Sequence, residues 1–443
     1  MPVAYTIRLP AEILDLICSF LDKHSLHACT LLSRNCRAFA HPHLFRSITI
    51  HDAGSQYNFN AFSEFLDTDA SPISIRSIKE VKLKGRQTLH TLIIDVSDIG
   101  SLITRLPSLK CLHLTIVYMR ISRMIPLPWS KRRAMSLLSL DRVGCAAGPD
   151  EPGVHCLLDP SQPTLCSLVE LLDLFSSIRT LHFRNVTHAW KNVPRDTSRA
   201  GDLVRVEASK ISENLRVERI ISEKDIFLQD RRDAYALWMI GYSPIGRALQ
   251  YLELSESVFL TIDFFPLFPS LQHLRLHLHE MQRVTPFDVR MSELMPGAFT
   301  HAYPHVQYDL SPFTKLDRMD IIAPSLGQMN LKDRISQLIR TLSRSPISTT
   351  QINAELRFQD PQYEAFPIPG DLQAVLDSVD NTLSSRVNLR KLTFIFTDAL
   401  CEDKIQCRLD DGLLEELKTQ IATIRTRLSQ MQSKGLLRFR VNL

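Results

Sequence analysis

Few of the features that announce an enzyme occur in this chain of 443 residues. Only 14 glycines are present, and none builds G-x-x-x-x-G-K-S/T, G-x-G-x-x-G after a strand, or G-x-S-x-G. Neither a phosphate-cradling loop nor a nucleophile elbow is therefore expected. The nine cysteines (18, 29, 36, 111, 145, 156, 166, 401 and 407) are odd in number, scattered and never spaced C-x-x-C. That pattern argues against a disulfide framework or a structural zinc site and fits a reducing compartment. His279-Glu280 opens like a zinc-protease helix, but Arg283 stands in place of the second histidine, which leaves a metal one ligand short. No apolar run approaches the ~18 residues that span a bilayer, and no charged leader precedes an apolar core near Met1. A cytoplasmic or nuclear protein without membrane association is the expectation. A formal net charge of +4 and a pI near 8.5 are small for this length and predict no nucleic-acid partner. With 44% apolar and 23% charged residues, the chain has the make-up of a globular protein able to bury one long core or several compact ones.

What is there begins with a run of short helical patterns. Pro10 suits the first helical position, and Glu12 falls in the first turn, where the helix dipole favours a carboxylate. Ile13, Leu14, Ile17, Phe20 and Leu21 form one broad apolar face, with Glu12, Asp15, Ser19 and Asp22 opposite. Ser25 is placed to cap a second helix carrying Leu26, Cys29 and Leu32, and Phe39, Leu44 and Phe45 lead the chain past Pro42. About forty residues with this much apolar surface make a poor isolated core, so part of that surface is expected to dock against something else.

The order of these residues resembles the F-box, a three-helix adaptor motif. The matching elements are Leu9-Pro10-x-Glu12-Ile13, Ile17-x-x-Phe20-Leu21, Leu26-x-x-Cys29, Leu32-Ser33-Arg34 and Pro42-x-Leu44-Phe45, and Cys36 stands where many members carry Trp. The resemblance implies that Leu9, Pro10, Glu12, Ile13, Ile17, Leu26 and Leu32 meet a Skp-type adaptor, and through it the cullin of a ubiquitin ligase. It implies no catalytic residue and no cofactor in the chain itself. A helical cap over the first layer of the following domain is the alternative reading of the same residues.

Beyond residue 70 an L-x-x-L-x-L template recurs, the pattern of a turn entering a strand that points alternate side chains inward. Its copies are Ile78-Val81-Leu83, Leu89-Leu92-Ile94, Leu109-Leu112-Leu114, Met135-Leu138-Leu140, Ile178-Leu181-Phe183, Leu249-Leu252-Leu254, Leu271-Leu274-Leu276, Leu316-Met319-Ile321, Leu389-Leu392-Phe394 and Leu436-Phe439-Val441. Helix-like stretches separate several of them. The spacing is irregular and the Asn expected after the strand is mostly missing, so the array resembles a degenerate leucine-rich repeat; an ordinary α/β domain with buried strands is the alternative. An F-box followed by such repeats also resembles a layout of fungal F-box proteins. Near the end, Leu414, Leu417, Ile421, Ile424, Leu428 and Met431 follow a 3-4-3-4-3 spacing, read as a helix packed on the last repeat in preference to a short coiled coil.

Residues flanking the inner leucines would line the concave face that such repeats use for binding. They include His113, His182, Arg184, Tyr251, Glu253, His273, Arg275, His277 and Lys391, with Arg318 and Asp320 between. Their lean towards His and Arg suits an acidic or phosphorylated target segment. Three histidines alternating over 273–279 invite a metal reading, but strand spacing and the lack of a fourth ligand favour a solvated face. The expected fold class is α/β, a three-helix F-box over residues 1–50 followed by an irregular leucine-rich-repeat-like α/β solenoid over 51–443, with inserted loops at about 118–165, 187–201 and 284–312. The implied function is substrate recognition for a Skp–cullin–F-box ubiquitin ligase. A repeat scaffold outside any ligase is the alternative, and an enzyme with a dispersed site is the third.

Overall fold

The structure, a computed structural model, describes residues 9–52, 57–68, 72–86, 92–120, 131–146, 166–189, 204–223, 232–255, 267–278, 310, 313–325, 341–342, 345–358, 370–398 and 411–442. The protein is α/β, with parallel sheet as its dominant element. Its contacts group into two compact units, one made of residues 1–220 and 224–245, the other of 221–223 and 246–443. The boundary near residue 245 falls inside the stretch expected to form one repeat domain.

The first unit opens with three helices, α1 (Ala11–Phe20), α2 (Lys23–Leu32) and α3 (Arg34–Leu44). Pro10 sits just outside α1 with φ −53° and ψ 148°, and its carbonyl accepts the N–H groups of Ile13 and Leu14 at 3.1 Å. Asp22, not Ser25, caps α2, because its carboxylate accepts the Ser25 N–H at 2.7 Å; the same hydrogen bond holds the Asp22 carboxyl below its ordinary range. Ser33 caps α3 through the Cys36 N–H at 3.1 Å. One buried residue from each helix, Cys18, Leu26 and Ala40, forms the core, with Leu21, Cys29, Phe39 and Leu44 around it. His43 on α3 pairs with Asp15 on α1 at 2.8 Å.

The chain then enters a parallel ladder made of β1 (Ser47–His51), β2 (Glu80–Lys84), β4 (Cys111–Thr115), β6 (Arg133–Asp141) and β8 (Phe175–Arg184). Its register aligns Val81, Leu112, Leu138 and Leu181 in one column and Leu83, Leu114, Leu140 and Phe183 in the next. All eight are buried, as alternation along each strand requires. A second parallel sheet runs beside it, formed by β3 (Leu92–Asp95), β5 (Val117–Arg120), β7 (Gly144–Ala146) and β9 (Thr187–Ala189). The Leu89-Leu92-Ile94 copy of the template therefore belongs to this second sheet, where Leu92 and Ile94 are buried, and Leu89 lies outside the described residues. The helices α6 (Val96–Arg105) and α7 (Ser167–Asp173) bury Val96, Ile99, Leu102, Leu168 and Leu171.

Sharp corners join the two sheets. Ile116, Arg142 and Asn185 follow β4, β6 and β8 directly and take φ of 56°, 53° and 55°, a left-handed conformation that costs an L-residue roughly 1–2 kcal/mol. Hydrogen bonds to the end of the next strand hold Ile116, Arg142 and the equivalent Gly85 after β2: Gly85 N–H to the Thr115 carbonyl at 2.9 Å, Ile116 N–H to Asp141 at 2.9 Å and Arg142 N–H to Arg184 at 2.6 Å. Most of β5, all of β6 and β7 and the Arg142 corner thus fall within 118–165, read from sequence as one inserted loop; residues 121–130 and 147–165 of it lie outside the described set. The expected loop at 187–201 begins with β9, and that at 284–312 lies outside the described residues except for 310.

The second unit carries one continuous parallel ladder, β11 (Tyr251–Ser255), β12 (His273–His277), β13 (Arg318–Ser325), β14 (Gln351–Phe358), β15 (Lys391–Asp398) and β16 (Leu437–Asn442). Leu252, Leu274, Met319, Ile352, Leu392 and Leu437 share one column, and Leu254, Leu276, Ile321, Ala354, Phe394 and Phe439 the next. β14 escaped the template because Thr349 and Ala354 occupy two of its three positions, although both are fully buried. At the last copy the template is displaced by two residues, since Leu437 and not Phe439 aligns with Leu392. The C-terminal helical segment is broken into α11 (Asp411–Arg427) and α12 (Ser429–Ser433), which pack against α10 (Gly370–Ser384). Asp380 of α10 accepts the N–H groups of Gln430 and Met431, both at 2.9 Å.

Replacing Gly85 by Ala would set a Cβ 2.2 Å from the Ile116 carbonyl oxygen, a backbone atom with no rotamer to escape through. The expected loss is about 1–3 kcal/mol, seen as a lower midpoint in chemical denaturation. An unchanged midpoint would show that the stacked corners yield freely.

Candidate functional site

Two surfaces stand out, one apolar and one polar. The first lies on the N-terminal helices. Leu9, Ile13, Leu16, Ile17 and Phe20 recur at helical spacing along one face of α1 and its approach, and Leu31 and Leu32 end α2; all seven are exposed, Phe20 to 81% and Leu32 to 74%. They account for seven of the eleven exposed large apolar residues among those described, so the concentration is local and not the ordinary scatter of a protein surface. Of the residues expected to meet an adaptor, Leu9, Pro10, Glu12, Ile13, Ile17 and Leu32 are on the surface. Leu26 is not, being 4% exposed in the helical core, and its expected contact role is corrected to a packing role. Leu16, Phe20 and Leu31 also belong to the patch, although the resemblance does not place them among the adaptor contacts; Leu16 falls outside the spacing of the matched motif, and Leu31 adjoins the matched Leu32 at the end of α2.

The second surface is the polar side of the ladders. In the second unit it is organised around two carboxylates. Glu253 accepts from His277 Nε2 at 2.7 Å and from the Tyr251 hydroxyl at 2.7 Å, with Arg275 Nε at 3.6 Å. Asp320 accepts from His273 Nε2 at 2.8 Å, from Arg318 Nε and Nη2 at 3.1 Å and from Asn353 at 2.6 Å. Burial alone would push both carboxyls up, but the hydrogen bonds from His277 and Tyr251 in one case, and from His273, Arg318 and Asn353 in the other, hold each at about 2. The Tyr251 ring also meets the His273 ring edge-on at 4.6 Å. The structure thus brings Tyr251, Glu253, His273, Arg275 and His277 together in a self-neutralised network. Lys391 stays apart, three strands along from His273 in the same row. Asn353 was missed with its strand. Among the described residues no group of three His, Cys, Asp or Glu could hold a metal, and His279 lies outside them.

In the first unit, His113 and His182 share a row with Lys82 and Ser139, and Arg184 shares the next with Lys84, Thr115 and Asp141. Glu80 takes Lys82 at 3.1 Å and His113 at 3.0 Å. Burial, helped by the Lys82 charge, holds the His113 imidazole below its ordinary value despite Glu80. Ser139 Oγ lies 3.1 Å from His182 Nδ1. Ser139 and Asp141 alternate with Leu138 and Leu140, so reading the flanks of that template copy would have found them.

Comparison of the chain with models of known protein families and with curated proteins finds no match to either. Among the described residues no helix is long and apolar enough to cross a membrane.

Because the folded-state carboxyls of Glu253 and Asp320 lie near 2, below the ~4 of an unfolded chain, their contribution is fully present above that unfolded value and disappears as pH falls through the folded one. Glu253→Gln or Asp320→Asn should therefore cost about 2 kcal/mol at neutral pH, and the gap to wild type should close between pH ~4.5 and ~2. Parallel stability profiles across that range would show that the network adds nothing.

Proposed function

We propose that the chain is a substrate-recognition subunit of a Skp–cullin–F-box type ubiquitin ligase, in which α1–α3 dock the adaptor and the ladder-bearing body presents a surface to a target protein. The exposed apolar stripe from Leu9 to Phe20, continued by Leu31 and Leu32, carries this reading. A helical unit whose buried core consists of Cys18, Leu26 and Ala40 gains nothing from keeping Phe20 and Leu32 in water. Covering them would contribute roughly 25 cal/mol per Å² of apolar surface removed. The parallel ladders with stacked leucine columns support the repeat-like body, and their polar faces supply charged and hydrogen-bonding groups for protein recognition. Transfer of ubiquitin would be the work of the recruited enzymes, with this chain supplying proximity and orientation.

Co-expression of the full chain with a Skp-type adaptor tests the reading. A Leu9→Ala/Ile17→Ala/Phe20→Ala variant should keep its helical content and lose co-purification, weakening the complex by at least about a hundredfold, since each covered side chain is worth about 1–2 kcal/mol. Leu26→Ala should act differently, destabilising the helical unit itself by about 2–5 kcal/mol. A well-folded wild-type chain that forms no complex would sink the ligase reading and favour a binding module that works without one.

A further inference from the structure

Buried polar atoms in native proteins find hydrogen-bond partners, and a cluster that lacks them needs a physical explanation, of which a bound ion is one. Asp141 Oδ1, Arg142 Nε and Arg184 Nε are such a cluster. They are buried and lie within ion-pair range, at 3.4 Å for Arg142 and 3.9 Å for Arg184, yet none of the three makes a hydrogen bond. Both distances exceed the ~2.7–2.9 Å of an engaged charge-assisted bond. Glu253 and Asp320 in the second unit hold their hydrogen-bonded partners at 2.6–3.1 Å, with Arg275 Nε standing off at 3.6 Å from Glu253. Here one carboxylate faces two guanidiniums, whose side chains remain 32% and 40% exposed, and Lys84 adds a further cation to the row.

The backbone places these groups. Arg142 is a corner residue with φ 53°, and its N–H donates to the Arg184 carbonyl at 2.6 Å, so the Arg142 corner is tied to the end of β8 that carries Arg184. We propose that this rim is an oxyanion-binding site that takes a phosphoryl group presented on a polypeptide. Two guanidinium forks match the geometry of a phosphoryl group, and its charge of nearly −2 at neutral pH exceeds that of the single carboxylate it would displace. That the polypeptide is the captured target rests on the ligase reading above; the oxyanion site rests on the geometry of the first unit alone.

Thermal melting of the full chain at matched ionic strength, with inorganic phosphate or N-acetyl-O-phosphoserine amide against chloride, tests the site. Both phosphoryl probes should raise the melting temperature of the wild type and of Arg275→Ala, and neither should raise that of Arg142→Gly/Arg184→Gln. Glycine accepts the left-handed corner without strain, so that variant keeps its fold. Asp141→Asn removes the competing carboxylate and should lower the half-saturating concentration by roughly tenfold. An equal response in the double variant, or none in the wild type, overturns the site, and a response to phosphate without one to the phosphoserine amide overturns its use for polypeptides. Adaptor co-purification from the same preparations keeps the two readings separate, because its loss with an intact phosphoryl response strikes the ligase reading alone.

Discussion

Parallel pairing in continuous register is the constraint on which the described structure depends. Between β2, β4, β6 and β8, and again from β11 to β16, each residue stands beside its equivalent on the next strand, apart from one shift at the start of β6. Any residue type recurring at one position is thereby stacked into a column. Apolar positions become buried columns such as Val81–Leu112–Leu138–Leu181, and the intervening positions become rows of polar groups on the other face. A one-residue slip would exchange the two faces, so the hydrophobic columns and the backbone ladder enforce each other.

The same stacking brings charges close enough to need compensation, and the two units do this differently. Around Glu253 and Asp320, imidazole, phenol, guanidinium and amide donors converge until each carboxylate is saturated and held ionised far below its ordinary range. On that face His273, His277 and Arg318 are already committed to the carboxylates, while Arg275 Nε stays 3.6 Å from Glu253. At Asp141 a single carboxylate stands between Arg142 and Arg184 without a hydrogen bond to either, and the backbone bond from Arg142 N–H to the Arg184 carbonyl joins the two residues. A surface with cations in excess and their donors unsatisfied is more receptive to an outside anion than one that has neutralised itself.

The N-terminal helices face the opposite difficulty. With apolar residues distributed around much of α1, only Cys18 and the partly buried Leu14 and Leu21 turn inward, while Ile13, Leu16, Ile17 and Phe20 remain in solvent. The caps at Asp22 and Ser33 and the His43–Asp15 pair fix three short helices that a small core would hold weakly.

Much of this was legible in the residues themselves. The L-x-x-L-x-L template located the strands carrying Leu112, Leu138, Leu181, Leu252, Leu274, Met319 and Leu392, because an alternating apolar pattern reports burial directly. The first two helices were equally plain from their spacing and their polar breaks, whereas α3, which runs through Pro42, was expected only from the F-box resemblance. Other features were decided only in three dimensions. Leu92 and Ile94 match the template yet pair in the second sheet, β14 is held in register although Thr349 and Ala354 replace leucine, and Leu26 turns into the helical core instead of out to a partner. Sequence alternation specifies which side of a strand is buried, but not which strand lies beside it, where the chain turns a corner, or which carboxylate a histidine will reach. Those depend on groups far apart in the chain, such as His273 with Asp320 and Arg184 with Asp141, which only the register of the folded ladders brings together.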